Sequence, residues 1–144
     1  MKFRNGFVSN SSSSSFVVIG KEVSSNTKLP NDYVVGASGE CEFGWDFVKY
    51  DDIDDRINFA YIQAGCKDDW MYMLEELLKA HGVQEFESRI TNEWDCEGDE
   101  VYGYIDHQSA ACEGENTEIF DSPEILERFI FCVDSFIQGG NDNQ

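Results

Sequence analysis

Glu42-Phe43-Gly44-Trp45-Asp46-Phe47-Val48, continued by Lys49-Tyr50-Asp51-Asp52-Ile53-Asp54-Asp55-Arg56-Ile57-Asn58-Phe59-Ala60-Tyr61-Ile62-Gln63-Ala64-Gly65, is the stretch in which the chain changes period. In its first part Phe43, Trp45 and Phe47 alternate with Glu42, Gly44 and Asp46, the pattern of a strand with one buried face. From Ile53 onward Ile57, Ala60, Tyr61 and Ala64 recur at helical spacing, and Gly65 closes the segment. Asp51, Asp52, Asp54 and Asp55 crowd the start of this helix, where the partial positive charge of a helix N-terminus favours carboxylates. A half-buried strand running directly into a helix, without regular βαβ alternation, points to an α+β fold.

The neighbouring segments extend that reading. Phe16-Val17-Val18-Ile19-Gly20 reads as a buried strand stopped by glycine, and Tyr33-Val34-Val35 as another; residues 21–32 form a connecting loop. The clearest helix begins at Asp68 or Asp69 as the cap. It carries Trp70, Met73, Leu74, Leu77 and Leu78 on one apolar stripe and stops at Gly82. His81 falls in its last turn, where a histidine interacts well with helix carbonyls. Phe86 to Ile90 and Val101 to Ile105 are expected strands on either side of an acidic loop, Asn92 to Glu100. Ser122-Pro123-Glu124 marks a helix start, with a capping serine before proline at the first helical position. Ile125, Leu126, Phe129 and Ile130 give that helix its buried face, and Ser135-Phe136-Ile137 suits a last short strand. The expected architecture is a single compact α+β domain, a mostly antiparallel sheet with about three helices packed on it.

Size and composition fit one folded domain. The 144 residues are 41% hydrophobic and 14% aromatic, enough to fill a core despite the acidity. Charge is divided unevenly. Residues 1–30 hold four cations (Lys2, Arg4, Lys21, Lys28) against Glu22, whereas residues 31–144 hold six against 28 carboxylates, within an overall net charge of −19. The chain thus divides into a basic, serine-rich segment, 1–15, and an acidic domain, 16–144. Ser9 to Ser15 reads as a low-complexity, mobile run, because serine buries no apolar surface and competes with the backbone for hydrogen bonds.

The excess of carboxylates argues against direct binding to phosphate backbones or anionic membranes, both of which need clustered Lys and Arg. A basic protein surface is the partner that fits, although acidity also serves solubility alone. No run of 18 apolar residues or signal-peptide core is present. Cys41, Cys66, Cys96, Cys112 and Cys132 are odd in number and lack CxxC spacing, so neither a disulfide framework nor a zinc site is expected. The expectation is a reduced, cytoplasmic protein.

The segment Tyr104-Ile105-Asp106-His107-Gln108-Ser109 is the candidate site for chemistry, because histidine beside a carboxylate can serve as a general base. Adjacent residues on a strand point to opposite faces, however, so Asp106, His107 and Ser109 do not form a triad by spacing alone. A turn capped by Asp106 and Ser109 is the competing reading. With two histidines and no HxxxH or HExxH, a transition-metal site lacks ligands. The loop Asp95 to Glu100 departs from the EF-hand template. Neither GxxxxGK[ST], GxGxxG nor GxSxG occurs. No cofactor or metal is therefore expected. The carboxylates of Asp51, Asp52, Asp54, Asp55, Glu93, Asp95, Glu97, Asp99 and Glu100 are the candidate binding residues, able to offer negative charge to lysines and arginines that otherwise read nucleic acid.

Two sets of landmarks carry a resemblance. Arg4-Asn5-Gly6-Phe7-Val8-Ser9-Asn10, followed by Ser11 to Ser15 and Phe16, resembles an N-terminal signature of otherwise diverse small bacteriophage and bacterial proteins. Glu42-Phe43-Gly44-Trp45, Ile57 to Gln63, Ile105-Asp106-His107-Gln108-Ser109 and Gly140-Asn141-Asp142-Asn143 are similar to landmarks of one uncharacterised phage-associated family among them. The resemblance implies a phage context, the host cytoplasm as location, and by analogy an accessory role acting on other proteins. The expected function is binding through the acidic surface, as an inhibitor or decoy of a basic, nucleic-acid-binding protein. The alternative is an enzyme or ligand binder around Asp106, His107 and Ser109, with Trp45 or Trp94 lining the pocket.

Overall fold

The helical half of the opening stretch folds as read. In a computed structural model, which describes residues 13–23, 27–44 and 47–141, α1 spans Ile53–Ala64 and Gly65 follows it as the C-cap. Two more helices, α2 (Asp68–Ala80) and α3 (Pro123–Phe131), stand where the periodicity places them. Ser122 caps α3 through Oγ, which accepts the Ile125 N–H at 3.1 Å, with Pro123 behind it. The cap of α2 is a correction. Lys67 holds the N-cap position without a side-chain bond, while Asp68 and Asp69 lie inside the first turn. There they still face the positive end of the helix, so the aspartates act through charge rather than as hydrogen-bonding caps.

The strands are shorter than their apolar runs. They are β1 (Ser13–Val18), β2 (Val34–Val35), β3 (Glu42–Phe43), β4 (Lys49–Tyr50), β5 (Glu87–Ser88), β6 (Ile90–Thr91), β7 (Val101–Tyr102), β8 (Tyr104–Ile105) and β9 (Phe136–Asn141). β9 is central in an antiparallel sheet of order β1-β9-β4. It pairs six residues of β1, from Ser13↔Asn141 to Val18↔Phe136, and two of β4. β1 thus begins at Ser13, taking the end of the serine run into the sheet; Met1 to Ser12 lie outside the described residues. The remaining pairs are two-residue parallel ladders, β2 with β5, β6 with β7 and β3 with β8. The fold is α+β, with its sheet divided into small pieces.

Residues 101–105 pair first with β6 and then with β3, and the change falls at Gly103, where a Cβ would collide with Ile90 and crowd Ile62. The expected strand Glu42–Val48 stops after Phe43, because Gly44 has a left-handed φ of 113° and backs onto Asp106. The alternation consequently fails at Phe47, which is 68% exposed; Trp45 lies outside the described residues.

The core forms where α1 meets α2, α3, β2 and β8. Phe43 packs edge-on against Phe59 and Tyr50, both with ring centroids 5.1 Å away, and Phe59 continues to Phe129. Phe43, Phe59, Leu74, Leu78, Leu126, Phe129 and Ile137 are fully buried, each stabilising the fold by roughly 1.5–3 kcal/mol. Three polar side chains of α1 are also buried and satisfied. Arg56 donates from Nε to the Ile130 carbonyl at 2.9 Å and from Nη1 to the Asp51 and Ser135 carbonyls. Burial lowers its pKa. Asn58 accepts the Gly36 N–H at 2.9 Å and donates to the Ser38 and Glu40 carbonyls. Gln63 holds the loop after β8, as described next.

Candidate functional site

The segment 106–109 folds as a turn, closed by the Ser109 N–H donating to the Asp106 carbonyl at 2.7 Å. Ser109 is fully buried, and its Oγ accepts the Ser15 N–H of β1. Its carbonyl accepts from Gln63 Nε2 at 3.0 Å and from Asn116 Nδ2 at 2.9 Å. Gln63 Oε1 accepts the Ala111 N–H, and Asn116 Nδ2 also reaches the Ser15 carbonyl. Asn116 does this from the left-handed region, φ 56°, which asparagine tolerates better than most residues. Ser109 is therefore the centre of a polar clamp joining α1, β1 and this turn.

Asp106 and His107 do not complete a triad with it. His107 extends into solvent with a side chain 75% exposed, whereas the Asp106 side chain is almost wholly buried. Their nearest N and O atoms are 3.6 Å apart, beyond a hydrogen bond. The geometry shows a turn closed by a backbone bond, with Ser109 Oγ engaged by the Ser15 amide, rather than a nucleophile with its base. Tyr104, just before it, has its phenol pKa raised by burial and then by Asp106 and Tyr102.

His81, expected against helix carbonyls, points elsewhere. Its ring stacks on Phe131 with centroids 3.7 Å apart, Nδ1 meets the Thr27 carbonyl and Nε2 meets Glu127 Oε2, each at 2.6 Å. Only its backbone N–H serves the α2 terminus, reaching the Leu77 and Leu78 carbonyls. The side chain is a fastener between α2, α3 and the loop at Thr27.

The two acidic clusters are used differently. Asp51 and Asp52 are exposed, but Asp54 holds the residue before β2, and Asp55 the β2–β3 connection, onto α1. Asp54 accepts the Tyr33 hydroxyl and Asp55 the Glu40 N–H, both at 2.7 Å. Burial, then the bond to Asp54, pushes the Tyr33 phenol far above its usual range. Burial also raises the pKa of Asp55, against the lowering effect of its backbone hydrogen bonds. Glu93, Asp95, Glu97, Asp99 and Glu100 are all exposed, in the loop from β6 to β7. That loop carries Trp94, which is 78% exposed. Its ring stacks at 3.9 Å on Tyr102, which in turn lies 6.0 Å from and nearly parallel to Tyr104. An aromatic ladder thus rises through the carboxylates. Trp94 and the loop were identifiable in the sequence; the stacking was not, since its partners lie eight or more residues away.

Cys66 and Cys112 are joined by a disulfide, with Cα atoms 5.4 Å apart, which corrects the expectation of a reduced protein. The odd count obscured a pair that the fold assembles by setting the end of α1 beside a 3-10 turn, Ala111–Glu113. Cys41 and Cys132 are free and buried, and Cys96 is free and half-buried. Burial, then Glu40, Asp55 and Glu42, pushes the Cys41 thiol up to about 11. Among the described residues no three His, Cys, Asp or Glu side chains are grouped to hold a metal ion, and no helix is long and apolar enough to cross a membrane.

No protein-family model matches the chain, and neither a curated protein nor a solved structure shows significant similarity to it.

Proposed function

We propose that the protein acts by binding, as a phage accessory protein whose acidic, aromatic loop engages a basic protein. The observation that carries this reading is Trp94, held 78% exposed on the Tyr102 ring in a loop with five exposed carboxylates. A large ring kept in water is available to a partner. Its π face attracts a guanidinium or ammonium, while neighbouring carboxylates supply charge-assisted hydrogen bonds. Arginine fits best, because its planar group stacks and bonds at once. Glu100 Oε1 accepts the Glu97 N–H at 3.1 Å, and Cys96 Sγ donates to the Glu93 carbonyl, so part of the loop is ordered before binding.

A nucleic-acid-binding protein is the basic surface that suits an inhibitor or decoy, since its arginines are already arranged to meet closely spaced negative charges. The resemblance of the serine-rich head and of Ile105–Ser109 to small phage proteins supports the phage setting. The cytoplasm of the host is the matching location, and there the Cys66–Cys112 bond would meet reducing thiols.

Titration with an arginine-rich peptide, followed by calorimetry at two salt concentrations, tests the reading. Trp94→Ala, and separately Glu93→Gln with Glu97→Gln, should each weaken binding about tenfold, as truncated anchors do. Affinity for the parent protein should fall as salt rises. Equal affinity for parent and Trp94→Ala would overturn the proposal.

A further inference from the structure

A second surface lies away from the loop just described. α2 buries Leu74, Leu77 and Leu78 in the core, but a neighbouring stripe at positions 69, 72, 73, 76 and 80 follows helical spacing and is exposed apart from Met73, which is half-buried against the core. Together with the first turns of α3 it encloses an open groove of about 600 Å³. Met73 and Leu77 line it on the α2 side, with Tyr72, 65% exposed, and Ala80 beside them; Pro123 belongs to the α3 wall. Every other lining residue is acidic: Asp69, Glu76, Glu124 and Glu127. Glu127 is held by His81, so this part of the wall is fixed.

We propose that this groove is a docking site for a basic amphipathic helix of a partner protein. The apolar lining calls for apolar side chains, and methionine adapts to those of different shape. Asp69, Glu76 and Glu124, with Glu127 already bonded to His81, call for lysine or arginine flanking that apolar stripe and repel an acidic helix. A helix suits the groove better than an extended segment. Both walls are helical and offer no sheet edge, so an extended chain would bring unpaired backbone groups against apolar surface, whereas a helix satisfies its own. Residues 69 to 80 extend about 17 Å along α2 at 1.5 Å per residue, room for about three turns of the incoming helix. The inference extends the reading that the partner is basic, but it involves none of the residues of the Trp94 loop.

The test uses a designed peptide of about sixteen residues, lysine and leucine arranged with leucine at i, i+3, i+4 and i+7. Its controls are a scrambled peptide of the same composition and a glutamate–leucine counterpart. Binding is followed by calorimetry and by the 13C-methyl signal of Met73, identified through Met73→Leu. The expected result is saturable binding of the amphipathic basic peptide, a shift of the Met73 methyl and a gain of helical circular dichroism. Met73→Glu should weaken it at least about tenfold, as a charge placed at a central anchor does. Glu76→Lys with Glu124→Lys should weaken it and flatten its salt dependence. Followed at the Met73 methyl, the titration reports the groove apart from the Trp94 loop, and His107→Ala, at an exposed residue of neither surface, should leave it unchanged. Equal binding of the scrambled peptide, preference for the acidic peptide, or an unmoved Met73 signal would overturn the proposal. So would a concentration-dependent dimer abolished by Met73→Glu, which would assign the groove to a second copy of the chain.

Discussion

Replacing Ser109 by alanine separates a structural serine from a catalytic one. The substitution removes Oγ and with it the acceptor of the Ser15 N–H, a contact between residues 94 apart in sequence. The carbonyl of Ser109 remains, so the bonds from Gln63 and Asn116 survive and the loss is confined to one interaction. Ser15 is only 3% exposed, leaving its amide little access to water. A buried donor left without an acceptor costs about 1–3 kcal/mol. For a domain of this size that corresponds to a fall in Tm of about 3–10 °C. Urea unfolding should show a lower midpoint with an unchanged m-value, and hydrogen exchange should accelerate first at the Ser15 amide. His107→Ala is the matched control. Its side chain is 75% exposed, and such surface changes usually stay within about 0.5 kcal/mol. If Ser109→Ala proved as mild as His107→Ala, the clamp would not carry the stability assigned to it and the reasoning would fail.

Two further outcomes follow from the electrostatics and the thiols. Burial raises the Asp55 pKa above its unfolded value, so its contribution to stability is greatest at low pH and declines as pH rises through the carboxylate range. Asp55→Asn retains an acceptor for the Glu40 N–H without the half-buried charge. The variant should exceed the parent in stability at pH 7 and match it near pH 3, and a variant weaker at pH 7 would reverse the argument. Mass mapping without reductant should recover a Cys66–Cys112 linked peptide, and native alkylation at neutral pH should reach Cys96 well before Cys41 or Cys132. Prompt labelling of Cys41, whose thiol is pushed up to about 11, would contradict its burial.

The helices were legible because their signals are local. α3 announces itself within three residues, Ser122-Pro123-Glu124, and its cap forms as those residues require. The strands were legible only as existing. Val101 to Ile105 reads as one run, yet its pairing passes from β6 to β3 around Gly103, whose backbone packs close against Ile90 and Ile62. That constraint comes from neighbours more than ten residues away. Likewise the alternation of Phe43 and Phe47 presumes a straight strand, and the left-handed turn at Gly44 withdraws the premise. A period-two pattern reports which side chains would share a face if the backbone continued; it does not report whether it does.

For the site, residue type was a poorer guide than position in the hydrogen-bond network. Asp106, His107 and Ser109 stood out as chemically capable, but the serine caps a strand and the histidine meets solvent. Asn58, Gln63 and Asn116 are inconspicuous in the sequence and bond the backbone of Gly36, Ser38, Glu40, Ser109, Ala111 and Ser15. Polar residues amid an apolar helix, as Arg56, Asn58 and Gln63 are in α1, give the available clue, since burial obliges each to find partners. The same logic turns outward for the binding surfaces. Asp54 and Asp55 lie in the denser carboxylate run, yet they are occupied by Tyr33 and Glu40. The groove acids were overlooked because α2 and α3 supply them separately. What distinguishes a carboxylate available to a partner from one already engaged is the neighbour that folding brings to it, and by that measure the proposed surfaces are the Trp94 loop and the groove carboxylates other than Glu127, which His81 engages.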